Sequence, residues 1–129
     1  MSDDLGKLIL RLTVGGLILL HGVYKIMNPG SVDFISEQLA ALDLPPPAAY
    51  GVYVGEVLAA LMIILGIFSR VGGLLIFVNM VFALILVHRD ELFVLTDTGG
   101  WAIELQAFYL FSGLAILFLG SGSIALRPD

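Results

Sequence analysis

Four apolar runs, at about 5–27, 48–68, 71–88 and 99–119, dominate the chain. Each approaches the roughly 20 residues that an α-helix needs to cross about 30 Å of hydrocarbon. Backbone amides and carbonyls in lipid must be satisfied within the segment, so helix is the state open to such runs. None shows the roughly 10-residue alternation of a membrane β-barrel strand. The composition agrees: 59% of residues are hydrophobic and 13% charged, against about 45–50% and 25% in an ordinary soluble domain. The expected fold class is therefore all-α: a polytopic membrane protein, a four-transmembrane-helix antiparallel bundle. With four spans subtracted, too little chain remains for a second core, so residues 1–129 read as one domain.

The connections refine this picture. Only Ser69–Arg70 separates the second and third runs, which forces an antiparallel hairpin. The first connection is long. Within SVDFISEQLAALDL, Val32, Ile35, Leu39 and Leu42 recur at helical spacing, while Asp33, Glu37 and Asp43 fall elsewhere. That pattern predicts a short amphipathic helix between spans 1 and 2, ended by Pro45-Pro46-Pro47. Lys7, Arg70 and Arg127, with Arg11 close by, fall on one side. Lys25 and Arg89 fall on the other, among Asp33, Glu37, Asp43, Asp90, Glu91 and Asp97. The positive-inside bias places both termini in the cytoplasm. Tyr24, Tyr50, Tyr53 and Trp101 then form an outer aromatic belt. The acidic leader MSDDLGK is unlike a cleaved signal peptide, so the first span is expected to be retained.

The first run carries Arg11, His21 and Lys25. A charge near the bilayer centre costs roughly 2.5–3.5 kcal/mol on insertion scales, so these side chains should face protein, water or headgroups. At about 100° per residue, Lys25 falls about 40° from Arg11 and His21 about 80°, in the same direction. Ile18 lies within that arc, with Gly15 and Gly22 beside it. The other runs are interrupted by Glu56, by Asn79, and by Glu104 with Gln106. Depths counted at about 1.5 Å per residue bring His21, Glu56 and Glu104 to one level in the outer half, with Gln106 and Asn79 near it and Arg11 below.

Two readings of this set are open. In the functional one, Glu56, His21 and Glu104 exchange protons, and Arg11, Lys25, Asn79 and Gln106 line a ligand pocket. Glu56 leads, because an ionisable group deep in a span is a functional candidate by default. In the structural one, Glu56 pairs with Arg11 or Lys25 to fix register, Arg11 snorkels to the inner headgroups, and Asn79 joins helices. Gln106 lies about 200° from Glu104 around the helix, so the two cannot both face one pocket squarely.

Several chemistries are excluded or unsupported. The chain has no cysteine, which removes thiol catalysis, thiolate zinc and Fe–S ligation within it. A net charge of −5 argues against nucleic acid and against a polybasic lipid-recruiting surface. His21 with two glutamates lacks the Glu-x-x-His spacing of helical metal sites, so no metal is expected. Phosphate loops and hydrolase elbows are absent.

The segment RLTVGGLILLHGVYKI, with Arg11, His21-Gly22 and Lys25, resembles the first helix of the DoxX family of small membrane proteins. Gly51, Gly55 and Glu56 in YGVYVGEVLAALMIILGIFSRVGGLL resemble its glycine-then-glutamate element. The closing GSGSIALRPD is similar to its Gly–Ser–Gly–x–x–x–Leu tail. The resemblance covers nearly the whole chain and rests on order and spacing together. It implies a four-helix protein of the bacterial inner membrane, in a family named after a subunit linked to thiosulfate:quinone oxidoreduction. A mycobacterial relative resembles the anchor of a redox-defence assembly. Some wider relatives work with thiol chemistry, from which this cysteine-free chain departs.

Two function classes follow. One is a redox-associated subunit that holds a quinone or similar lipophilic molecule, with electrons supplied by a redox partner protein. The other is a non-catalytic scaffold or carrier of a lipophilic solute. Glycine-rich faces in either case suit a homo-oligomer in the lipid bilayer.

Overall fold

The computed structural model describes residues 2–28, 30, 37, 40, 54–86 and 89–129. Among these residues four α-helices run their full length: α1 (Ser2–Met27), α2 (Ala59–Leu65), α3 (Ser69–Leu86) and α4 (Glu104–Leu119). A π-helical turn, Val54–Leu58, leads straight into α2, and a 3₁₀ turn, Arg89–Glu91, follows α3. No strand occurs among the described residues, only two isolated bridges. By length and composition, α1 alone among them is long and apolar enough to cross a membrane; α2 to α4 are apolar but shorter. The segment expected to form an amphipathic helix lies largely outside the described residues, as do the start of the second run and His88.

Two boundaries differ from the sequence reading. The second run ends at Leu65, not Phe68. Gly66 takes the left-handed conformation (φ 75°), and its amide closes on the Met62 carbonyl at 2.9 Å. That is the usual way a glycine stops a helix. The last helix starts at Glu104, not near Gly99. The Leu95–Trp101 bridge folds the preceding residues into a turn, and the Trp101 indole donates to the Leu92 carbonyl at 2.8 Å.

Consecutive helices pack antiparallel. On α1 the buried stripe is Arg11, Val14, Gly15, Ile18 and Gly22. This is the face that the 100° repeat marks as polar or small, and it meets α2. Cβ atoms at Gly15 and Gly22 would lie 2.6 Å from Ile64 and 2.8 Å from Val57. Val14 and Ile18 join Ala59, Ile63, Ile76, Met80, Tyr109 and Ile116 in one apolar core. The tightest approach is between α3 and α4, where a Cβ on Gly73 would stand 2.5 Å from the Gly113 carbonyl oxygen. Backbone cannot yield as a side chain can. Gly73→Ala is therefore expected to cost about 1–3 kcal/mol, the scale of an overpacked core, read as a lowered unfolding midpoint in detergent.

The C-terminal segment folds back over one end of the helices. Leu126 and Arg127 donate to the Leu65 and Gly66 carbonyls, at 3.1 and 2.9 Å, extending the chain beside Ile67. Asp129 accepts from the amides of Arg70 and Ser121 at 3.0 and 3.1 Å. Arg70 in turn donates to the Leu117 and Phe118 carbonyls at the end of α4. Asp4, in the first turn of α1, accepts from the Ser123 amide at 3.0 Å and hydroxyl at 2.6 Å.

Those two Ser123 bonds hold the Asp4 carboxyl below its ordinary value near 3.8. A depressed carboxyl contributes its stabilisation above the unfolded pKa and loses it as pH falls through the folded one. The Asp4–Ser123 tie is thus intact at neutral pH and releases below about pH 4. The Ser123 amide resonance should follow that titration, and Asp4→Asn should abolish the dependence.

Candidate functional site

The predicted polar residues separate into two places, one at each end of the α1–α2 contact. The first is built on Arg11, which is 1% exposed and does not reach outward to headgroups. Its Nε donates to the Ile63 carbonyl at 2.8 Å and Nη2 to that of Ile64 at 3.3 Å. Its Nη1 donates to Ser121 and Ile124 carbonyls at 2.9 and 2.7 Å. The last carbonyls of a helix lack intrahelical partners and carry the negative end of its dipole. A planar guanidinium with five donors suits them. Arg11 thereby joins the end of α2 to the C-terminal segment.

The second place is built on Glu56. The π turn widens the backbone just where this residue sits; such bulges are frequent at functional sites. Glu56 is 4% exposed. Its Oε1 forms an ion pair with Lys25 Nζ, from the last turn of α1. Its Oε2 is buried and has no hydrogen-bond partner among the described residues. Tyr109, on α4, is buried. The His21 ring meets Tyr109 edge-on, with centroids 6.0 Å apart and planes at 81°. Leu17, Leu20, His21, Tyr24 and Tyr109 line an open groove of about 290 Å³ between α1 and α4.

The other candidates, Glu104, Asn79 and Gln106, do not line this groove. Glu104 is exposed in the first turn of α4, its carboxylate folded against Gly100. A carboxylate there complements the helix dipole, and among the described residues it forms no hydrogen bond or ion pair with Glu56 or His21. Asn79 and Gln106 are half-buried on α3 and α4. The structure thus brings Lys25 and Glu56 together, sets His21 beside Tyr109, and leaves Glu104 outside. Tyr109 is absent from the sequence candidates. A tyrosine in the middle of an apolar run, rather than at its end, was the available signal.

The DoxX family model matches residues 6–89. The chain belongs to the DoxX family. The match takes in Arg11, His21, Lys25 and Glu56, whereas Tyr109 and the C-terminal segment lie beyond it. Members of this family are membrane-associated. The DoxX chain is also similar to a Bacillus subtilis (strain 168) protein named "Putative oxidoreductase CatD". Identity is 26% over 128 residues, spanning 98% of this chain and 88% of the relative. No solved structure matches it.

Proposed function

We propose that this DoxX protein is a four-span antiparallel bundle of the bacterial inner membrane, both termini cytoplasmic, serving as a redox-associated subunit. It holds a quinone or similar lipophilic molecule, and a partner protein supplies the electrons. The observation that carries the ligand reading is the buried, half-satisfied carboxylate of Glu56, in a fold that also holds an open groove lined by His21 and Tyr109 between α1 and α4.

Several features support this assignment. Leu20, Phe108 and Phe118 are largely exposed on the outer faces of α1 and α4, and extensive exposed apolar surface marks an interaction or membrane-facing region. Cations cluster at the Arg11 end, where Lys7, Arg70 and Arg127 also lie, as the positive-inside rule asks. A groove of about 290 Å³ is at the small end of ligand sites, roughly 300–1,000 Å³. It suits a ring headgroup whose tail stays in lipid. The name of the Bacillus relative points to redox work.

In this reading His21 and Tyr109 orient the ring. Glu56 receives or returns a proton, and Lys25 keeps its carboxylate charged between turns. Glu104, Asn79 and Gln106 are second-rank candidates.

The test is native mass spectrometry with lipid extraction, on protein taken gently from its own membranes, wild type beside Glu56→Gln. A bound quinone that disappears in the variant supports the assignment. An empty protein whose stability or oligomeric state shifts favours the scaffold reading. That second reading draws its support from Arg11, whose donors are occupied by backbone carbonyls.

A further inference from the structure

Tyr109 joins two features that neighbouring residues hold only singly. It is 6% exposed and belongs to the apolar core, yet it also forms part of the groove. The His21 ring stands nearly perpendicular to its phenol. The rest of the groove is Leu17, Leu20, Tyr24 and His21, all exposed on the outer side of α1. A ligand there would meet two leucines, the exposed rings of His21 and Tyr24, and one buried phenol, that of Tyr109.

We infer that Tyr109 is the ligand-reading residue of the groove: its hydroxyl donates a hydrogen bond to a ring carbonyl, so the site selects quinone-type ketones over aromatic hydrocarbons of equal size. The inference rests on the proposal that the groove holds a lipophilic molecule. A phenol titrates near 10 in water, so at neutral pH it offers its hydrogen to an acceptor. A site built around one buried donor rejects the analogue that lacks the acceptor, because the donor is then left unpaired. The groove is lined by residues of α1 and α4, and Leu20 at its rim is 67% exposed.

The experiment compares a short-tailed benzoquinone with a tailed arene of matched size lacking carbonyls, by equilibrium binding to the detergent-purified full chain. Variants are Tyr109→Phe and Leu20→Trp, each checked for native helicity and elution volume. Leu20 is 67% exposed, so a larger ring is tolerated there while it fills the groove. Wild type should prefer the quinone by about tenfold, the worth of one hydrogen bond. Tyr109→Phe should lose that preference and keep the arene affinity, whereas Leu20→Trp should weaken both ligands. Quinone preference unchanged in Tyr109→Phe overturns the role of Tyr109 while leaving the bound quinone in place. Unchanged binding of both ligands in Leu20→Trp overturns the groove as their site. Wild type that binds neither ligand removes the proposed function itself.

Discussion

Arg11→Met is expected to be among the most damaging single substitutions in this protein. Four carbonyls lose a cationic partner at once: Ile63 and Ile64 at the end of α2, Ser121 and Ile124 in the C-terminal segment. Each acceptor left buried and unpaired costs about 1–3 kcal/mol. Such costs do not add fully within one network, but a loss of about 3 kcal/mol or more is expected. The site also loses packing, because Gly66 presses against the guanidinium, its missing side chain leaving room for Arg11 and Ala125. Arg11→Lys keeps the charge but not the planar fork, and one ammonium cannot serve both the helix end and the returning segment. It should recover only part of the loss. The measurements are the unfolding midpoint in detergent and the rate at which protease removes residues after Leu119. A normal midpoint with a protected tail in Arg11→Met would assign the clasp to the Ile67–Arg127 backbone bridge alone.

The role of Arg11 shows where sequence reasoning stops. Its place on the small-residue face of α1 is legible, because a 100° repeat assigns it together with Gly15, Ile18 and Gly22. Its partners are not, because a carbonyl acceptor carries no side-chain signature and two of the four sit in an irregular segment. The same limit applies to the C-terminal segment, whose glycines and serines read as a tail but whose anchoring depends on Asp4 and Arg70, 119 and 59 residues away in sequence from their partners. The Lys25–Glu56 pairing is half-legible: depth and face bring the two helices' polar residues level, but not to a particular partner. Glu104 is placed at an exposed helix start for a local reason. Its depth was counted along a helix that would begin near Gly99, whereas the Thr96–Gly100 turn delays the helix and leaves Glu104 at its exposed start.

The Lys25–Glu56 pair separates structural from functional roles most sharply. Lys25→Met should cost about 3–5 kcal/mol, because it leaves a buried carboxylate uncompensated. Glu56→Gln should cost less, about 1.5–3 kcal/mol, the scale of one lost charge-assisted bond. The asymmetry follows from exposure. The Lys25 side chain is 23% exposed and that of Glu56 6%, so the lysine can carry its charge outward on its flexible stem but the carboxylate cannot. The double variant Lys25→Met/Glu56→Leu should regain most of the stability, since an apolar pair of similar volume often replaces a buried ion pair at little or no cost. Unfolding midpoints of the three variants give the coupling between the two sites. If the double variant folds as stably as wild type and still loses its bound molecule, the charges belong to the ligand site. A double variant that regains stability and keeps the ligand would leave the pair with register alone. Equal losses for Lys25→Met and Glu56→Gln would mean that the carboxylate is not buried as charge, and that the proton it holds, rather than the ion pair, sets the local energetics.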